Sequence, residues 1–142
     1  MGTIVVGTDG SESAEVALDF AAEEAALRGA KLRVVLAREV SERTQEHGSP
    51  VPEVLDNLQR VAEQIVNEAV ARAKELQPGL TCKGEVLYGR PQTVLMDVAK
   101  DAILVVVGRR GQSGLASLLL GSVSRHMVNN APCPVVVVPP AQ

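Results

Sequence analysis

Aromatic side chains are almost missing from this 142-residue chain. Phe20 and Tyr88 are the only two, tryptophan is absent, and aromatics make up 1% of a composition that is 46% apolar. The core must therefore be aliphatic. The same shortage excludes functions that need several rings, such as stacking platforms for single-stranded nucleic acid or cages for quaternary ammonium groups. Positive charge is scarce too. The chain has 14 lysines and arginines against 17 aspartates and glutamates, a net charge of −3, and no basic block, so it lacks the electrostatic footprint of a polyanion binder. Long apolar runs are lacking: Ala102–Val107 and Val135–Val138 fall far short of the ~20 residues needed to cross a bilayer as a helix. The start, MGTIVVGTDG, has no cationic leader, and Val6 stands where a myristoylation signal needs Ser or Thr. A cytoplasmic protein is the expectation. Cysteine is limited to Cys82 and Cys133, with no Cys-x-x-Cys and no zinc-site His pattern. That isolation suggests small core fillers.

What is present is an alternation of short Val-rich runs with longer stretches of helical period, the pattern of a parallel sheet covered by helices. Strands are predicted near Thr3–Thr8, Lys31–Arg38, Leu80–Leu87, Ala102–Val107 and Pro134–Val138. The first and fourth are continuously apolar, which predicts burial on both faces. A first helix is predicted over Ser11–Arg28, with Ala14, Leu18, Ala21 and Ala25 on one stripe and Gly29 as its stop. A second covers Val54–Leu76, with Leu58, Ala62, Ile65 and Ala69 as its inner stripe. Pro91 suits the first position of a third helix carrying Val94, Leu95 and Val98, and Ser122–Val128 forms a short fourth. The stretch Val40–Pro52, with two prolines and no apolar period, reads as a loop. No repeat or linker divides the chain, and its length suits one domain, residues 1–142, burying roughly 68–70% of its unfolded surface. The fold expected is α/β: a doubly wound, open five-stranded parallel sheet, Rossmann-like, with helices on both faces.

In such sheets ligands bind beyond the carboxyl ends of the strands, where the strand order reverses. Two segments lie at such ends. Gly7-Thr8-Asp9-Gly10-Ser11 follows the first strand. Gly108-Arg109-Arg110-Gly111-Gln112-Ser113-Gly114 follows the fourth and leads to Gly121-Ser122-Val123-Ser124 at the start of the last helix. Glycines let a backbone approach an anion closely, and a helix start offers unpaired N–H groups and the positive end of a dipole; Ser122 and Ser124 add hydroxyl donors. The pattern is neither a Walker loop nor GxGxxG. Plainer readings stand beside this one: Asp9-Gly10-Ser11 as a turn with an N-cap, Gly121-Ser122 as a mere helix start, Arg109 and Arg110 as solvated loop residues. His47 reads as solvated, and His126, one turn into the last helix, as a side chain outside any chemistry.

These residues resemble the universal stress protein family, and within it the ATP-binding branch. The likeness runs over essentially the whole chain and rests on IVVGTDGSESAEVALDFAAEEA, GRRGQSGLASLLLGSVS and HMVNNAPCPVVVVP. The resemblance implies strand order 3-2-1-4-5, which puts Asp9 and Gly108 at one crevice. It implies that Thr8 and Asp9 lie near the ribose or adenine, and that Ala37, ending the second strand, meets adenine with backbone groups. Ribose and phosphates fall to Val107, Gly108, Arg109, Gly111, Gly121, Ser122, Val123 and Ser124, and magnesium or manganese accompanies the ATP. The chain departs from the family pattern at Arg109, where a small Ser or Thr is general, and at Leu36, where a His is frequent.

Asp9, Arg109 and Arg110 provide no convincing base for phosphoryl chemistry, so no catalytic residue is assigned. The expectation is a nucleotide-responsive stress or signalling module with slow or absent ATP hydrolysis. The alternative is a dimeric interaction scaffold in which nucleotide is incidental. An apolar final strand between Pro132 and Pro139 belongs at a sheet edge, and an edge left bare invites pairing, so a homodimer through Pro134–Val138 is expected, a mode the family commonly uses. An ATP pyrophosphatase or adenylate-forming enzyme would need SGGxDS or an HIGH-type motif, and neither is present.

Overall fold

The computed structural model describes residues 2–39, 52–109 and 120–141. In chain order the elements are β1 (Thr3–Gly7), α1 (Glu12–Arg28), β2 (Lys31–Arg38), α2 (Pro52–Leu76), β3 (Cys82–Tyr88), α3 (Pro91–Ala99), β4 (Leu104–Gly108), α4 (Ser122–Asn130) and β5 (Val135–Val138). The five strands form one parallel sheet in the order β3-β2-β1-β4-β5, as the resemblance implied.

The Val-rich runs follow from burial on two sides. Side chains alternate along a strand, so Ile4, Val6, Leu32, Val34, Leu104 and Val106 face α1 and α2, while Val5, Val35, Val105 and Val107 face α3 and α4. Val5, Val6, Val105 and Val106 are at most 1% exposed, and burying each side chain stabilises the fold by about 1.5–3 kcal/mol. On α1 the inner face is nearly all alanine: Ala14, Ala17, Ala21, Ala22 and Ala25, with Leu18. The Ser11 side chain caps the helix by accepting the Ala14 N–H at 3.2 Å, and Gly29 ends it in the left-handed region at φ 65°. Both aromatics lie outside the core, Phe20 at 37% and Tyr88 at 63% exposure, so no aromatic ring enters the interior.

Three expectations shift. The inner stripe of α2 is Ala62, Val66, Ala69 and Ala73, while Leu58 is half-exposed and Ile65 only partly buried. The helix is rotated because it packs tightly on β3 at Gly84, where an added Cβ would collide with Val66 and lie 2.8 Å from Val70 Cγ2. Strand β3 begins at Cys82 because Leu80 still closes the turn after α2, its N–H donating to the Gln77 carbonyl at 2.9 Å. Helix α4 runs on to Asn130, since Ala131 N–H still reaches the Met127 carbonyl at 2.9 Å. Of the two cysteines, Cys82 is buried in the core and Cys133 only partly covered. The expected loop at Val40–Pro52 lies almost wholly outside the described residues.

Candidate functional site

Parallel β–α units bring the start of every helix to the carboxyl edge of the sheet, where α1 lies on one face and α4 on the other of the central pair β1 and β4. A cavity of about 310 Å³ opens between them, within the usual range for a small-molecule site of roughly 300–1,000 Å³.

Its first wall is the exit from β1. The Thr8 N–H still pairs with the Val35 carbonyl at 2.9 Å, but the chain then turns on itself: Gly10 N–H donates to the Thr8 hydroxyl at 3.2 Å, and Ser11 N–H to Asp9 Oδ1 at 2.9 Å. The turn ends the β1–β2 ladder early. Val35 points its carbonyl toward β1, while Arg38 accepts the Gly89 N–H from β3 at 2.9 Å. By alternation Ala37 turns both its N–H and its carbonyl toward the β1 side, where the paired register stops at Gly7–Val35. Ala37 therefore presents a donor and an acceptor with no ladder partner among the described residues, on the rim of the cavity.

The second wall is apolar. Val35, Ala37 and Val107 come from the strands, and Pro91 and Leu95 from α3. Pro91 occupies the first turn of its helix and so has no N–H to offer a ligand. The start of α1 is likewise closed, since Ser11 caps it and Glu12 and Glu15 load its first turn with negative charge.

The third wall is the start of α4, and it is built differently. Arg109 N–H donates to the Val138 carbonyl at 3.0 Å, and the Arg109 carbonyl accepts both the Gly121 N–H at 2.8 Å and the Ser124 hydroxyl at 3.0 Å. These bonds tie the two ends of the segment between residues 109 and 121 into a neck. Within α4 the first ladder bond runs from Arg125 N–H to the Gly121 carbonyl, 3.0 Å, so the N–H groups of Ser122, Val123 and Ser124 precede the ladder. Gly121 gives no side-chain cap, and the first turn carries no acidic residue. Three donors and a positive dipole end are left facing the cavity, a ready anion site.

The structure thus brings Thr8, Asp9 and Ala37 together with Val107, Gly108, Gly121, Ser122, Val123 and Ser124 around one space. Arg109 serves the neck through its backbone and is not among the lining residues; Gly111 lies outside the described residues. Two roles change. Ser124 is buried, and its hydroxyl shares its one proton between the Arg109 and Gly121 carbonyls, so its N–H is what it offers the cavity. Gly108 has a packing reason independent of any ligand: an added Cβ would collide with the first turn of α1 at Ser13. Sequence reading missed Gly7, Ala14, Val35, Pro91 and Leu95 as lining residues. Pro91 carried a usable signal, because a helix start in a parallel β–α unit must face the carboxyl edge. His126 is exposed and hydrogen-bonded only to Asn130 among the described residues.

A second depression of about 390 Å³, lined by Thr3, Lys31, Arg33, Thr81, Lys83 and Glu85, lies at the amino edge, where no helix begins. Among the described residues no cluster of three His, Cys, Asp or Glu suits a metal, and no helix is long and apolar enough to cross a membrane.

The profile of the Universal stress protein family matches residues 1–139. The chain belongs to this family. A universal stress protein of Mycobacterium tuberculosis is 36% identical over 139 residues, spanning 95% of this chain and 47% of the relative; the chain spans about half the length of the curated relatives it matches. Among solved structures, a universal stress protein in complex with cAMP is 30% identical, with a TM-score of 0.73 over 99% of this chain and 98% of that one. The universal stress protein from Archaeoglobus fulgidus in complex with dAMP is 29% identical, with a TM-score of 0.72 over 96% and 97%.

Proposed function

We propose that the cavity binds an adenine nucleotide, ATP with magnesium or manganese in the cell, and that binding rather than turnover is the function. The observation that carries this reading is the placement of two open hydrogen-bonding features at one cavity: the unpaired Ala37 edge and the uncapped start of α4. The Ala37 N–H matches N1 of adenine and its carbonyl matches the 6-amino group. Guanine presents a donor and an acceptor in the reverse order, so the same edge rejects it. The purine ring, with no aromatic partner in reach, packs between Val35, Pro91, Leu95 and Val107, and phosphate sits at the N–H groups of Ser122, Val123 and Ser124. Among the described residues, Asp9 is the one carboxylate lining the cavity. A divalent ion there would rest mainly on phosphate oxygens and water, as magnesium commonly does.

Catalysis needs a positioned base near the phosphates, and the lining residues among those described supply only Asp9, one of whose oxygens already accepts the Ser11 N–H. Slow or absent hydrolysis follows. Calorimetry with ATP and AMP tests the site in the wild type and in Gly121→Val. The backbone at Gly121, φ −66° and ψ 167°, is one any residue adopts, so valine adds bulk at the helix start without backbone strain. ATP affinity unchanged in that variant would overturn the assigned cradle. Rapid steady-state hydrolysis lost in Asp9→Ala would overturn the binding-only role.

The exposed edge of β5 favours a second role as a dimeric interaction module. Val135, Val136 and Val137 are only partly buried at the end of the sheet, and two-fold pairing through Pro134–Val138 would cover them. Light scattering showing a stable monomer at micromolar concentration would refute the homodimer.

A further inference from the structure

Strand β2 outlasts β1 by three residues. Leu36, Ala37 and Arg38 pair with Val86, Leu87 and Tyr88 of β3 on one side and, among the described residues, have no strand on the other. A strand end held on one side is a low-stability segment that opens locally, yet Ala37 is where the cavity presents its paired donor and acceptor. The next residue supplies a clamp. Arg38 lies directly across from Tyr88, its guanidinium 5.6 Å from the ring centroid. Its Nη1 donates to Gln59 Oε1 on α2 at 2.8 Å, and the Tyr88 hydroxyl donates to the same oxygen at 2.8 Å. The Gln59 Nε2 donates to Glu63 Oε1, one turn along α2, at 3.0 Å. One amide oxygen therefore gathers donors from two strands, while the amide nitrogen is held by the helix and fixes the orientation of the group. Tyr88 and Glu63 are exposed, so the cluster is not core filling.

We infer that Arg38, Gln59 and Tyr88 are positioning residues for base recognition: they bind the free end of β2 to β3 and α2, hold the Ala37 N–H and carbonyl in place, and couple the occupied base site to α2. The inference rests on the adenine-nucleotide reading above. None of the three is among the residues lining the cavity; they act through the Ala37 backbone.

Tyr88 is the only tyrosine and the chain has no tryptophan, so intrinsic tyrosine fluorescence reports this cluster alone. The wild type, Arg38→Ala, Arg38→Lys, Tyr88→Phe and Ala37→Pro are titrated calorimetrically with ATP, GTP and inorganic triphosphate, and fluorescence is followed wherever Tyr88 remains. In the wild type ATP should change the emission and triphosphate should not. Arg38→Ala should weaken ATP binding about tenfold, the scale of one or two neutral hydrogen bonds, and leave triphosphate affinity unchanged, so the preference for ATP over GTP shrinks. Arg38→Lys should recover part of it, and Tyr88→Phe should show a smaller loss. Wild-type ATP affinity and base preference in Arg38→Ala would overturn the positioning role, as would an equal loss for all three ligands. Ala37→Pro deletes the recognising N–H itself on the side that carries no ladder bond. If it loses the preference while Arg38→Ala keeps it, positioning alone fails. If both keep it, or if the wild type shows no preference, the adenine reading fails too.

Discussion

Gly108→Ala separates two reasons for a glycine at the mouth of the cavity. If Gly108 is there to let a ligand approach the backbone, the free protein should tolerate alanine and only nucleotide affinity should fall. The structure supports the other reason. A Cβ at position 108 would lie 2.8 Å from the Ser13 carbonyl oxygen and 2.9 Å from its carbonyl carbon, with the Ser13 hydroxyl nearer still. Comfortable contact needs about 3.5 Å or more. Two of these three atoms are backbone in the first turn of α1, held by the helix ladder and by the Ser11 cap, so a side-chain rotation cannot relieve them. The helix start must move by about 0.7 Å, or β4 must yield by as much. Overpacking of this kind costs about 1–3 kcal/mol, which lowers the melting temperature of a domain this size by about 3–10 °C. Gly79→Ala is the control: nothing lies within 4 Å of its added Cβ, and Gly79 does not have a positive φ, so it should melt within about 1 °C of the wild type or slightly above it. Thermal unfolding by calorimetry without nucleotide decides the matter. A Gly108→Ala protein that melts with the wild type yet binds ATP more weakly would refute the packing argument.

Ser124→Ala should cost about 1 kcal/mol in urea denaturation and weaken ATP binding, because the Arg109 carbonyl loses its Ser124 partner and the start of α4 loosens; unchanged stability would count against the neck. Arg72 bridges α2 to α1 through a two-point contact with Asp19, 2.7 and 2.8 Å, and a 3.2 Å pair with Glu15. The Asp19 hydrogen bond, first among several causes, raises the Arg72 pKa well above its ordinary value, so it stays charged wherever the chain folds. Since all three groups are substantially exposed, Arg72→Ala should cost less than about 1 kcal/mol, and the cost should shrink further in high salt; a larger, salt-insensitive loss would contradict this. Burial raises the thiol pKa of both Cys82 and Cys133. The folded state therefore holds the thiol proton more tightly than the unfolded chain does. The resulting stability is complete below the ordinary thiol value of about 8.5 and is lost as pH rises through the higher folded values. Unfolding free energy should thus fall more steeply above about pH 8.5 in the wild type than in the Cys82→Ala/Cys133→Ala double variant, and parallel pH profiles would sink that account.

The legibility of this fold in its sequence has a physical cause. A central parallel strand is buried on both faces, so Ile4-Val5-Val6 and Leu104-Val105-Val106-Val107 read as unbroken apolar runs, and helix ends announce themselves through Ser11, Gly29 and Pro91, whose side chains or backbone freedom satisfy the termini locally. The inner face of α2 was less legible. Leu58 and Ile65 fit a helical stripe as well as Val66 and Ala73 do, and only close packing over Gly84 chooses between the two rotations. The candidate site divides in the same way. Its residue types at strand ends, Thr8, Asp9, Gly108 and Gly121 to Ser124, were visible from spacing alone; the Ala37 edge depends on β1 turning away one residue after Gly7.

By itself, the sequence determined an aliphatic α/β chain, the places where its helices begin and end, and the segments that gather at the carboxyl edge, because these depend on local propensity and burial pattern. Only the tertiary structure decided how each group is used. Gly108 lies against Ser13, the Ser124 hydroxyl closes the neck at Arg109, and Ala37 is left unpaired with Arg38 clamped beside it. Each of these depends on a contact between residues far apart in the chain, and no periodicity or spacing along the sequence encodes such a distance.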